Sequence, residues 1–269
     1  MENIRQAIER AKVGPGDHAS RGTLAERTRD WSGSARTRDS IEQIELSREN
    51  LEANRIVAHD PSDTRSKAFD MLRTQVLQSM DLKGWKTLAI TSPTAACGKT
   101  LTSINLSFSI ARQPERSAFL VDMDLRKPQV ARCLGLRCSD GLLGVLEGQA
   151  TVEAATVTVG VGNAQLKVLP AEIPTAESSE WMNSRAMSAT LQEIGRSAPD
   201  SIVILDLPPL LYSDDVISIL PHIDCVILVT AVGTTTIAEL KECNKHLQTA
   251  DVIRVVVNKV PEVGKASYY

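Results

Sequence analysis

The chain has 269 residues, 42% of them hydrophobic but only 3% aromatic, and a formal net charge of −3. That is enough for one sizeable α/β domain with an extension, or two small domains, with a core built from Val, Ile, Leu and Ala, as a parallel sheet buried on both faces requires. The mild acidity offers no basic field for nucleic acid, and the scarcity of aromatic rings offers no stacking platform for single strands.

In chain order, residues 2–12 predict a short helix with Met1, Ile4, Ile8 and Ala11 on one stripe, either a docking element or a helix packed on its own domain. This N-terminus is polar and is not a signal peptide. No apolar run approaches the ~20 residues that cross a bilayer. A cytoplasmic protein is therefore expected, with no direct membrane span. Residues 13–40 lack apolar periodicity and read as linker; five arginines and two acids in residues 20–38 give a solvated, mildly basic stretch. Residues 41–51 predict another short helix, and the extension is placed at residues 1–54.

From residue 55 the pattern tightens. Asp60-Pro61-Ser62-Asp63 offers turn and capping chemistry, and Phe69, Leu72, Val76 and Met80 recur at helical spacing. Strands are predicted at 85–91, 117–122, 166–170, 201–206, 225–231 and 252–258. Helices are predicted at about 99–112, 178–196, 214–220 and 236–249. The alternation predicts an α/β fold with a doubly wound, mostly parallel sheet. Five cysteines, with no CxxC pair and no histidine at zinc-ligand spacing, predict reduced thiols and no structural zinc.

In such a sheet, ligands bind beyond the carboxyl ends of the strands. After the first predicted strand comes Thr94-Ala95-Ala96-Cys97-Gly98-Lys99-Thr100-Leu101, which ends as a phosphate-binding loop ends. Its amides would wrap phosphate oxygens at a helix N-terminus. Lys99 would reach the β- and γ-phosphates, and Thr100 would place its hydroxyl on Mg²⁺. Pro93 stands where the first glycine of such a loop is usual, and Ala96 stands where many loops keep glycine. A positive φ at Ala96 would cost roughly 1 kcal/mol relative to glycine. Cys97 reads as a tolerated loop residue rather than a redox centre. The strand "FLVDMD" ends in Asp122 and Asp124, followed by Arg126, and "IVILD" ends in Asp206. An aspartate after four apolar residues is the form of a strand whose carboxylate holds magnesium, directly or through water. Together these three strand ends predict a magnesium–nucleotide site.

The set resembles the bacterial tyrosine kinases of the CpsD/CapB type. The resemblance rests on Ser92-Pro93 opening the loop, on Asp122-Met123-Asp124-Leu125-Arg126 after three apolar residues, and on Asp206-Leu207-Pro208-Pro209. Tyr268-Tyr269 at the end of the chain matches the family's tyrosine tail. The resemblance implies a MinD-like P-loop domain over residues 55–264 and a tail over 265–269 carrying the phosphoacceptors. It implies ATP and Mg²⁺ as cofactors, with Thr100, Asp124 and Asp206 at the metal and Asp122 as base for the phenol. Arg126 would steady the phosphates or the two aspartates, and Asn258 would read the adenine. It further implies autophosphorylation between copies of a homo-oligomer, control of exopolysaccharide or capsule polymerisation and export, and recruitment to the inner membrane face by a transmembrane chain-length regulator. The alternative is a MinD/ParA-like ATPase switch or a catalytically weak scaffold. Those ATPases carry a signature lysine where this chain has Thr94, and two glycines where it has Ala95 and Ala96. The family's Glu-x-x-Arg-x-x-Arg ring motif is represented only by Lys67, Asp70 and Arg73, which read as an ordinary solvated helix face.

Overall fold

A computed structural model describes residues 43–138, 141–171 and 173–261. The expected helix at 2–12, the linker at 13–40 and the tail with Tyr268 and Tyr269 lie outside the described residues.

Eight strands form one sheet: β1 (Ile44–Glu45), β2 (Thr87–Thr91), β3 (Ser117–Asp122), β4 (Val157–Val161), β5 (Ala164–Leu169), β6 (Ser201–Asp206), β7 (Cys225–Ala231) and β8 (Val252–Asn258). Their order is β1-β4-β5-β3-β6-β2-β7-β8. From β5 to β8 every pairing is parallel, while β4 returns antiparallel to β5 and β1 runs parallel to β4. The helices are α1 (Arg48–Ala53), α2 (Ser66–Lys83), α3 (Lys99–Ala111), α4 (Val130–Leu134), α5 (Leu142–Leu146), α6 (Val152–Ala155), α7 (Ser178–Met182), α8 (Arg185–Ser197), α9 (Asp215–Ile219) and α10 (Ile237–His246).

The central strands are apolar along their whole length because both faces are covered. Leu88, Ile90, Leu120, Ile204 and Ile227 point to one core, against Val76, Met80, Ile104 and Phe108 of α2 and α3. Their neighbours Ala89, Phe119, Val121, Val203 and Leu205 point to the other, against Met187 and Ile194 of α8 and Leu240 of α10. Alternation with a period of two thus feeds both layers from one run of residues. Asn105, buried in α3, accepts the N–H groups of Val57 and Ala58 through Oδ1, at 2.8 and 2.9 Å, and donates to the carbonyls of Arg55 and Leu101.

Several expectations need correction. Residues 41–51 do not form one helix: Ile44 and Glu45 pair with β4, and Ser47 caps α1 by accepting the Asn50 N–H. Leu46 and Leu51 are buried in the core, so no domain boundary falls at residues 54–55. Asp60 and Asp63 make local turns, accepting the N–H groups of Ser62 and Arg65, but α2 begins after Arg65 with no side-chain cap. The helix expected over 178–196 breaks at Asn183-Ser184. Ser184 is extended there and its hydroxyl caps α8 at the Met187 N–H. The first helical span ends at Ala111, and β4 and α4–α6 were not expected at all.

The topology sets β3, β6 and β2 side by side at the centre of the sheet. Asp122 and Asp206 are direct register partners, and Ile90 lies level with Asp206. Three chemistry-bearing strand ends therefore open onto one edge.

Candidate active site

The loop after β2 is anchored by the turn after β6. Thr91 Oγ1 donates to the Pro208 carbonyl at 2.7 Å, and the N–H groups of Leu210 and Leu211 donate to the carbonyls of Ser92 and Pro93. Proline fixes φ and has no N–H of its own, so the Pro208-Pro209 turn holds its carbonyls in place to meet the loop. The loop then turns through two left-handed residues, Ala96 at φ +63° and Gly98 at φ +99°. A Cβ on Gly98 would lie 2.1 Å from the Asn258 amide nitrogen. Glycine is required at 98 on both counts, whereas Ala96 carries only the modest strain of its φ.

Helix α3 starts at Lys99, its N-terminus directed at the strand ends. Lys99 Nζ lies 2.8 Å from Asp124 Oδ2 and 3.6 Å from Asp206 Oδ2. Thr100 Oγ1 donates to Asp206 Oδ2 at 2.6 Å, and Ser103 Oγ donates to Asp206 Oδ1 at 3.0 Å. Asp122 lies level with Asp206 across the β3–β6 pair. It accepts the N–H groups of Asp124, Gln129 and Val130 at 3.2, 3.0 and 2.9 Å.

Three buried carboxylates thus face one ammonium. Burial, then the nearby Asp206 charge, push Asp122 up to about 8, against the pull of its N–H donors and Lys99. Burial also raises Asp206, although Lys99 and the Thr100 hydroxyl oppose it. Burial disfavours the charge on Lys99, but Asp206 and Asp124 outweigh that and hold its pKa above the ordinary lysine value. The uncompensated negative charge suits a divalent cation. Among the described residues no three acid, histidine or cysteine side chains form a ready cage. Mg²⁺ takes one or two protein carboxylates and fills its other positions from hydroxyl, phosphate and water, and Asp124, Asp206 and Thr100 could supply two carboxylates and a hydroxyl here.

Arg126 is not on the aspartate pair. Its Nε donates to the buried Asp215 at 3.2 Å and its Nη2 to Ser179 Oγ at 2.9 Å. Burial opposes ionisation of Asp215, but the Ser178 and Ser179 hydroxyls and Arg126 hold its pKa below the ordinary value. Asn258 donates from Nδ2 to the Cys97 carbonyl at 3.0 Å, which ties β8 to the loop. Cys97 itself is fully buried, its sulfur 3.5 Å from Thr235 Oγ1, so it is a packed residue and not a free loop position.

Beside these groups lies a cavity of about 300 Å³. Ala95, Ala96, Gly98, Lys99, Thr100, Leu101, Asp124 and Arg126 line it, joined by Lys127, Gln129, Tyr212 and Ser213. Sequence reasoning missed Ser103, although it stands one helical turn after Lys99. It also missed Asp215, Tyr212 and Ser213, which follow the proline pair but carry no motif.

No family model matches the chain. It is 31% identical over 198 residues to EpsB of Ralstonia solanacearum, whose name places it among the tyrosine-protein kinases; the match covers 73% of this chain and 26% of EpsB. It is 26% identical over 227 residues to the tyrosine-protein kinase YwqD of Bacillus subtilis, covering 81% of this chain and 92% of YwqD. The solved tyrosine kinase domain of BceF superposes with a TM-score of 0.68 at 25% identity, over 81% of this chain and 92% of that domain. The chain belongs to the bacterial tyrosine kinases. It spans about a quarter of the length of the first curated relatives it matches. Against the family's ring motif, Lys67 is exposed, but Asp70 and Arg73 are not a solvated face. Asp70 accepts both Arg112 Nη2 contacts, at 2.8 and 2.9 Å, and the Ser109 hydroxyl at 2.6 Å, while Arg73 Nη1 donates to Asp70 and to the Ser109 carbonyl. Among the described residues no helix is long and apolar enough to cross a membrane.

Proposed function

We propose that the chain is a protein-tyrosine autokinase that uses ATP and Mg²⁺ and phosphorylates Tyr268 and Tyr269 of a neighbouring copy. The observation that carries this reading is Lys99, at the head of α3, bridging Asp124 and Asp206 while Thr100 bonds Asp206. In the reaction, the bond from the γ-phosphorus to the ADP oxygen breaks, a bond to the phenol oxygen forms, and the phenol proton leaves. Catalysis is mostly positioning and charge neutralisation. The amides of Thr94–Gly98 cradle the phosphates, and Lys99 turns from Asp124 to the β- and γ-oxygens. Thr100, Asp124 and Asp206 would hold the cation, which would offset the phosphate charge. Asp122 takes the phenol proton; its raised proton affinity suits a base working near neutral pH. Arg126 stands at the cavity mouth, braced by Asp215, where it reaches the transferred group. Asn258 supports the adenine end.

The folded kinase unit includes residues from Gln43 onward, with the N-terminal segment ahead of it and the tyrosine tail behind. The setting follows from the motif resemblance: control of exopolysaccharide or capsule export, at the inner face of the membrane, through a transmembrane chain-length regulator. The test is phosphotyrosine formation with Mg-ATP. Lys99→Ala should lower the labelling rate by at least ~100-fold, the scale on which removal of one charge-stabilising group acts. Labelling of Lys99→Ala at the wild-type rate would show that the chemistry happens elsewhere.

A further inference from the structure

At the opposite end of α3 lies a second cavity, of about 530 Å³. Helical rise puts it about 20 Å from Lys99. Arg48 of α1, Arg73 of α2, Arg112 after α3 and His59 line it, with Asp60 and the Gly162 turn between β4 and β5. Asp70 sits behind two of the arginines and pairs with Arg73 and Arg112. Asp60 is engaged by the N–H and hydroxyl of Ser62. Three guanidinium groups against these two carboxylates leave one positive charge over. Arg48 makes no hydrogen bond or ion pair among the described residues: its charge acts on Asp60 and His59 without direct contact, and its guanidinium lies by the Gly162 turn. One buried polar atom here, Arg73 Nε, also lacks a hydrogen-bond partner. A buried guanidinium N–H left unbonded is costly unless something accepts from it.

We infer that this cavity is an anion site that binds a phosphate group, with Arg48 and Arg73 as its principal donors. Guanidinium groups present paired N–H donors that match phosphate oxygens, and Asp70 keeps Arg73 and Arg112 in place without using the Arg73 Nε. The phosphate comes from one of two sources, free inorganic phosphate or the side chain of a phosphorylated tyrosine.

The full chain has four histidines, so the His59 ring signal can be assigned by NMR with His59→Gln. Inorganic phosphate and free phosphotyrosine are each titrated against that signal. The inference predicts saturable movement, retained in Lys99→Ala and weakened at least about tenfold in Arg48→Ala. Tighter binding of phosphotyrosine assigns the site to a phosphorylated tyrosine; equal or weaker binding assigns it to free phosphate. Arg48 is exposed and bonded to nothing, so Arg48→Ala should melt with the wild type and its loss of binding is interpretable. No saturable movement with either probe, or unchanged binding by Arg48→Ala, would overturn the inference.

Discussion

Ala96 and Gly98 look alike in sequence, two small residues in a loop, yet the structure separates them. Both have positive φ, but only Gly98 has a neighbour where its Cβ would be. Ala96→Gly should therefore leave nucleotide affinity equal or slightly improved, with fold stability changed by no more than about 1 kcal/mol. Gly98→Ala should push Asn258 off the Cys97 carbonyl and weaken nucleotide binding at least about tenfold. Isothermal titration of both variants decides the contrast; equal losses would mean the loop geometry is wrong. Asp122 supplies a second residue-scale test. A carboxyl whose pKa rises on folding holds its proton more tightly in the folded chain. Its burial therefore costs nothing at low pH and costs progressively more as pH climbs from the ordinary carboxylate range, near ~4, to about 8. In EDTA the melting temperature should fall across that window, and Asp122→Asn should flatten the slope. Parallel curves for the two proteins would contradict the assignment.

At the scale of elements, α3 is the axis that joins the loop, the core and the distal cavity. Asn105, in its middle, satisfies two buried backbone N–H groups of the incoming segment. Asn105→Ala should cost about 3 kcal/mol, read by denaturant unfolding, because both N–H groups lose their acceptor. A change under about 0.5 kcal/mol would mean that the segment 55–58 is held by other contacts. The strands β3, β6 and β7 were legible to the residue, since two-sided burial writes them as nearly unbroken apolar runs, and the edge strand β8 was legible through its valines despite Arg254. β1 was not, being two residues long and defined only by pairing with β4 more than 100 positions away in sequence. β4 was missed although Val157, Val159 and Val161 alternate as a half-buried strand does and Gly162-Asn163 supplies the turn into β5. The site divides in the same way. Lys99, Thr100, Asp122, Asp124 and Asp206 announce themselves through local spacing. The brace on Arg126 does not, because Ser178, Ser179 and Asp215 reach it from distant parts of the chain.

For the whole molecule, the sheet order has a functional consequence. It brings β2, β3 and β6 together so that one ammonium, three carboxylates and two hydroxyls meet at one edge, while the arginine-lined cavity lies at the other. The chemistry proposed for this edge is transfer of phosphate to tyrosine rather than hydrolysis of ATP alone. The direct measurement is mass-spectrometric mapping of phosphate after the full chain is incubated with Mg-ATP, alone and with the cytoplasmic segment of the proposed transmembrane regulator. Phosphate is expected on Tyr268 and Tyr269 and is expected to be absent from Lys99→Ala. ATP turnover with no phosphate on either tyrosine would contradict the proposal.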